Sequence, residues 1–403
     1  MANVNPSAID ELLALGADPS IISFGGGYPD ASLFPKQMLN QVFNEIINDP
    51  TGSTMQYAPS DGLPTLREKI ATLMNEDGTP CSIDDILILQ GSQQGIDLAA
   101  RMLINPGDTL ITEDPTFLGA LLAFNPNQPN YAAIPMDENG MKMDVLEETL
   151  KSNPKSKLIY TIPDFQNPTG VTMSIERRKE LINLANFYDV IILEDTPYRH
   201  IRFEGQNLPT LRSLDTENRV IHLGSFSKIL VPGLRIGWAL AEKSLLKKMS
   251  LLKVAADTQT STLNMAATNL FLERFDLFSH IEKLRHAYLI KKELMLKEIT
   301  KHFPKNIKIT NPSGGLFTWV TFDKTFDTTQ FMKEIALSEA KVAYVPGGSF
   351  FPVKEQRHHA RINFSSQPEN LIKKGIEALG LSLIHISEPT RLRRISYAVF
   401  CLK

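Results

Sequence analysis

The chain has 403 residues, 42% hydrophobic and 22% charged, with 42 Lys+Arg against 45 Asp+Glu. That is two to three ordinary domain lengths, enough for a large core, and a net charge of −3 excludes a basic field for gripping nucleic acid or an anionic membrane. No apolar run approaches the roughly 18 residues of a membrane span, no secretory leader pattern opens the chain, and Cys81 and Cys401 have no metal or redox spacing, so a cytoplasmic protein is expected.

In chain order, short Val/Ile/Leu-rich runs at 86–90, 109–112, 131–135, 158–163, 190–194, 220–223 and 236–241 predict seven strands. Amphipathic stretches at 96–103, 143–151 and 175–188 lie between them and predict helices. Apolar strands alternating with helices predict an α/β fold: a mostly parallel seven-stranded sheet covered on both faces. A stretch free of Pro and Gly from about 263 to 302 predicts one long helix, a spine between lobes. Beyond it, 315–322 reads as a strand, 328–338 as a helix, 360–364 as a strand and 369–379 as a last helix, together a smaller α+β lobe. The segment 381–403 carries +3 against −6 for the rest, shows no clean amphipathic period, and its wording resembles translated sequencing-adapter read-through. It is expected to be a non-native tail outside the fold.

Four signals fall where such a sheet places a site, at the carboxyl ends of its strands. Gln90-Gly91-Ser92-Gln93-Gln94-Gly95 follows a strand and opens a helix, where free N–H groups and a hydroxyl suit a phosphate. The run is not GxGxxG and no P-loop pattern is present, which counts against dinucleotides and nucleoside triphosphates. Pro163-Asp164-Phe165-Gln166-Asn167-Pro168-Thr169-Gly170 is the second signal; taken alone it reads equally as a turn. In the third, Leu193-Glu194-Asp195-Thr196-Pro197-Tyr198, a carboxylate ends an apolar strand and needs a cationic partner, unless Asp195 caps a helix. The fourth is Gly224-Ser225-Phe226-Ser227-Lys228 with Arg235 close behind: two hydroxyls and an arginine for an anion, and an amine beside them.

Together these motifs meet the needs of pyridoxal phosphate chemistry, and over roughly residues 5–380 the sequence resembles the class I/II aminotransferases of PLP fold type I. The resemblance is to the branch of 2-aminoadipate/kynurenine and broad-range aromatic aminotransferases. It implies that Lys228 forms the Schiff base with pyridoxal 5'-phosphate, that Asp195 partners the ring nitrogen, and that Asn167 and Tyr198 bond the phenolic oxygen. It further implies a phosphate cradle of Ser92, Gln93, Ser225, Ser227 and Arg235, and Phe117 stacked on the ring. Tyr57 would reach a neighbouring subunit's phosphate, so a homodimer is implied. Arg361, with the Gly25-Gly26-Gly27 loop, would take the substrate α-carboxylate, Gly27 and Asn167 contacting the substrate as well.

The division implied is 1–50 as an N-terminal segment walling the substrate site and packing with the small domain, 51–295 as the cofactor domain and 296–380 as the small domain. The expected reaction moves an amino group between an aromatic, branched-chain or 2-aminoadipate type L-amino acid and a 2-oxo acid such as 2-oxoglutarate. Alternatives are a β-lyase or decarboxylase on the same scaffold, or less readily a PLP-binding regulator, for which only about two dozen residues precede the glycine loop. Relatives that prefer a dicarboxylic side chain often carry an arginine in the N-terminal helix; here Asp10 lies in that stretch, and no Lys or Arg precedes Lys36. With Asp10 there and Phe24, Tyr28 and Leu33 around the glycine loop, an apolar or acidic N-terminal wall to the side-chain pocket is expected. His358 and His359 are expected on an exposed rim, and no metal site is expected.

Overall fold

The computed structural model describes residues 18–387. The N-terminal segment enters as β1 (Ile22–Ser23). The large sheet then takes β2 (Ile86–Leu89), β3 (Thr109–Asp114), β4 (Asn130–Asp137), β5 (Gly140–Met141), β6 (Ser156–Thr161), β7 (Ile191–Asp195), β8 (Val220–Ser225) and β9 (Gly237–Leu240). Their spatial order is β2-β9-β8-β7-β6-β3-β4-β5. β3, β4, β6, β7 and β8 pair in parallel, whereas β9 runs antiparallel to both β8 and β2. The seven expected strands are all present, and the eighth is the two-residue β5, hairpinned onto β4.

Side-chain alternation explains why these strands read as unbroken apolar runs. Leu110, Leu158, Leu193 and Ile221 fall on one face and join a large core with Ile96 and Leu98 of the helix Ser92–Leu103. Ile111, Ile159, Ile192 and Val220, one residue along each strand, fall on the other face. There they meet Leu146 of the helix Met143–Ser152 and Leu181 and Ile182 of Ile175–Tyr188. Both faces are therefore covered, as parallel strands require.

The long helix expected over 263–302 is two helices, Thr262–Arg274 and Leu277–His302. The break falls at Phe275-Asp276, where the Asp276 carboxylate accepts from the N–H of Phe278 and caps the second helix. Asp starts a helix well and competes with its interior, so this cap signal overrides the absence of Pro and Gly. The 26-residue second helix is the spine. Its Tyr288 hydroxyl accepts from the Asp30 N–H at 3.0 Å, and its Lys291 bonds both the Asp30 carboxylate, at 2.5 Å, and the Ser365 carbonyl, at 2.9 Å.

The small lobe is a four-stranded antiparallel sheet in the order β10-β11-β14-β13: β10 (Lys308–Ile309), β11 (Phe317–Thr321), β13 (Val345–Pro346) and β14 (His359–Asn363). β1 pairs in parallel with β12 (Val342–Ala343), so the N-terminal segment is stitched to this lobe, not to the large sheet. The helix expected at 328–338 runs from Thr328 to Ala340 and widens to π turns from Met332. The last helix, Glu369–Ser387, does not stop at the expected boundary of 380. Leu383 is 3% exposed within the core, so the first residues of the segment read as a tail belong to the fold. Residues 388–403 of that segment, and Asp10 with its neighbours, lie outside the described residues.

Candidate active site

Because β2, β3, β6, β7 and β8 all point the same way, the loops at their carboxyl ends converge on one edge of the sheet. They enclose a cavity of ≈ 270 Å³ that the glycine loop and Arg361 close from the small-lobe side. Every expected site residue lines it except Tyr57. Tyr57 is 82% exposed and lines a separate surface hollow with Gln259 and Leu263.

At the β2 end, Gly91 precedes the helix Ser92–Leu103, whose first turn has no side-chain cap. Those N–H groups and the dipole favour an anion. Gly91 has φ +75°, and a Cβ there would lie 2.5 Å from Nη2 of Arg235, so only glycine lets the guanidinium pass. Arg235 donates to the Gln90 carbonyl at 3.1 Å and to the Ser227 Oγ at 3.3 Å. The Ser225 hydroxyl donates to Ser227 Oγ at 2.9 Å and accepts from the Ser227 N–H. Gln93 donates to the Gly119 carbonyl at 2.6 Å, beside the Phe117 ring. The residues expected to form an anion cradle are thus brought together from two loops, one after β2 and one between β8 and β9.

Lys228 follows directly. Its Nζ donates to the Gly27 carbonyl at 2.8 Å, and burial together with the charges of Arg235 and Arg361 brings its ammonium down to about 8. An amine near neutrality is nucleophilic at ordinary pH. Opposite it, Asp195 ends β7 and caps no helix, since a turn follows it. Burial raises its carboxyl to about 7, against the hydrogen bond from Tyr160 and the attraction of His222. Oδ2 accepts from the Tyr160 hydroxyl at 3.0 Å, while the buried Oδ1 has no partner among the described residues. A buried carboxylate oxygen is costly in that state, and a protonated ring nitrogen would supply its donor and ionise the acid.

Asn167 donates to the Tyr198 hydroxyl at 3.2 Å and accepts from Arg361 Nη1 at 2.8 Å. Arg361 lies on β14 between Trp319 and Val345 in register, and its Nη2 donates to the Gly25 carbonyl at 2.6 Å. Its guanidinium sits 4.2 Å from the Phe317 ring centre, burial draws it down to about 10, and Nε has no partner among the described residues. A buried planar cation with a donor to spare is suited to a carboxylate. These donors and acceptors fit pyridoxal phosphate and an amino acid: a ring-nitrogen acceptor, a phosphate cradle, an amine and a carboxylate clamp.

Several residues escaped the sequence reading. Leu118, Ile162, Val345 and Phe350 form the apolar wall, whereas Phe24 is turned into the core against Gly375, and Leu33 packs on the core; of the expected wall only Tyr28 lines the cavity. Asp164 is fully buried among Arg178, Arg199 and Arg202, which hold its carboxyl at about 2 and anchor the loop before Asn167. Behind that loop, Glu113 accepts from Thr161 and Gln166, and burial raises it to about 7. His359 is buried, not on a rim, and stacks on Trp319 with centroids 5.2 Å apart. His358 is half-buried, and no group of potential metal ligands clusters among the described residues.

Residues 26–379 match the family described as aminotransferase class I and II. The chain is 40% identical over 378 residues to an aromatic-amino-acid aminotransferase of Thermococcus litoralis, covering 93% of this chain and 90% of that protein. A kynurenine aminotransferase structure from Pyrococcus horikoshii, in complex with PMP, KYN as substrates and KYA as products, superposes with a TM-score of 0.89 at 38% identity over 95% of both chains. An α-aminoadipate aminotransferase structure from Thermus thermophilus, complexed with N-(5'-phosphopyridoxyl)-L-leucine, gives 0.88 at 32% identity, again over 95% of both.

Proposed function

This chain belongs to the class I and II aminotransferases and depends on pyridoxal phosphate; from that premise we propose that its preferred amino donors carry aromatic or large aliphatic side chains. A 2-oxo acid such as 2-oxoglutarate is the acceptor. The carrying observation is the composition of the cavity wall. Phe117, Leu118, Ile162, Val345 and Phe350 supply apolar surface, and the cations lining the cavity among the described residues are Lys228, Arg235 and Arg361. Each has a role near the reacting atoms, so a distal carboxylate has none of them to spare. Among the similar proteins, the names aromatic-amino-acid and kynurenine aminotransferase fall within this range of donors, and α-aminoadipate aminotransferase falls outside it.

When bound, the cofactor supplies an electron sink that acidifies the substrate's α-carbon. The chain's residues then have separate tasks. Arg361 would grip the α-carboxylate. Lys228 would hold the cofactor through Nζ and, as a free amine, would carry a proton to and from the α-carbon. Asp195 would accept from the ring nitrogen, Asn167 and Tyr198 would bond the phenolic oxygen, and Phe117 would pack against the ring. Ser92, Gln93, Ser225, Ser227 and Arg235 hold the phosphate, and Tyr57 reaches the partner's phosphate in a cytoplasmic homodimer. Among the described residues, no helix is long and apolar enough to cross a membrane.

A panel of L-amino acids with 2-oxoglutarate tests this reading when the oxo-acid product, glutamate and ammonia are all followed. Equal oxo acid and glutamate are expected; ammonia without glutamate would point to lyase chemistry instead.

A further inference from the structure

The Tyr160 side chain is fully buried and lies behind the site, at the penultimate position of β6. Its register partner on β7 is Leu193, two residues before Asp195, so Tyr160 and Asp195 stand on the same face of the sheet. A diagonal neighbour at that spacing is within reach of an aromatic side chain but not of a short one. The ring is held edge-on against Phe124, with centroids 5.5 Å apart, and the hydroxyl donates to Asp195 Oδ2 at 3.0 Å. One oxygen of Asp195 is thereby tied from behind while the other, Oδ1, is buried without a hydrogen-bond partner among the described residues.

We propose that Tyr160 is a positioning residue for cofactor recognition: by holding Oδ2 of Asp195 it fixes the carboxylate's rotation, so that Oδ1 is presented to the N–H of the cofactor's pyridine ring. This rests on the reading of Asp195 as the ring-nitrogen partner. Burial holds the Tyr160 hydroxyl far above its ordinary range, so it stays a donor at any working pH. A carboxylate with one oxygen bonded has lost the torsional freedom that a lone side chain must give up on binding.

The test compares pyridoxal phosphate with its 1-deaza analogue, in which a carbon replaces the ring nitrogen and offers no N–H to Asp195. Apo-protein is titrated with each, and dissociation constants are read from the quenching of protein fluorescence. Y160F keeps the ring against Phe124 and removes only the hydroxyl. It should weaken pyridoxal phosphate roughly tenfold, the scale of a hydrogen bond to a charged group, and leave the analogue unchanged. In a D195A background Y160F should have no further effect. Equal weakening of both ligands means a general packing role and overturns the proposal, as does an unchanged preference in Y160F. A wild-type protein that does not distinguish the two ligands removes the Asp195 reading, and the proposal with it.

Discussion

Arg361 and Asn167 share a hydrogen bond across the cavity, joining the proposed carboxylate clamp of the small lobe to the loop proposed to contact the cofactor. Replacing Arg361 with Ala should therefore raise KM for amino acids by roughly 30- to 150-fold, the loss of a charge-assisted contact of about 2–3 kcal/mol. Amines lacking a carboxylate should show no such change; an equal rise for both would assign the arginine another task. Lys228 gives a pH signature. Attack on the cofactor's aldehyde needs the neutral amine, so the rate of cofactor attachment to apo-protein should climb with pH and level off above about 8, well below the 10.5 of an ordinary lysine. Rapid-mixing absorbance across pH 6–11 reads the midpoint, and a midpoint near 10 would place the lysine in water. The charged and hydroxylic members of the site were legible because their residue types, in this order at strand ends, serve one chemistry. Tyr160, Glu113 and Val345 were not, because a strand's sequence conceals which of its residues meets the site or the residues behind it until register is known.

At the scale of elements, the pattern of apolar residues locates seven of the eight strands of the large sheet, missing the two-residue β5, and three of the helices between them, Ser92–Leu103, Met143–Ser152 and Ile175–Tyr188. It joined two helices into one because nothing between Arg274 and Leu277 breaks a helix outright; Asp276 ends the run only by starting another. The C-terminal boundary differs for a related reason: the abrupt change of charge after residue 380 suggests an end to the fold, whereas the helix carries Leu383 into the core first. Residues 388–403 fall in the segment expected from the sequence to be a non-native tail, so ending the chain after Ser387 should leave the melting temperature unchanged. Ending it after Gly380 removes a buried leucine and should lower stability by about 2–4 kcal/mol, read as a shift in the denaturant midpoint. Equal midpoints for both truncations would show that residues 381–387 contribute no packing.

For the whole molecule, the two lobes and the N-terminal segment meet at one cavity, and the fold class could be read from the alternation of elements. Which side chains fill the substrate wall could not, because Leu118, Val345 and Phe350 come from three separate parts of the chain. Burying a phenylalanine-sized side chain against that wall is worth about 1.5–3 kcal/mol over leaving it in water. Steady-state kcat/KM should accordingly favour phenylalanine and leucine over both alanine and 2-aminoadipate; a clear lead for 2-aminoadipate would mean that a cation outside the described cavity lining reaches the distal carboxylate. The proposed role of the exposed Tyr57 at a partner's phosphate predicts a dimeric mass in solution and a weaker hold on the cofactor in Y57F, checked by light scattering and cofactor titration. Borohydride reduction of the holoenzyme followed by peptide mapping bears most directly on the central claim, that this cavity is the aminotransferase centre. The pyridoxyl mass should appear on Lys228 alone, and a label on any other lysine, with Lys228 unmodified, would contradict the assignment.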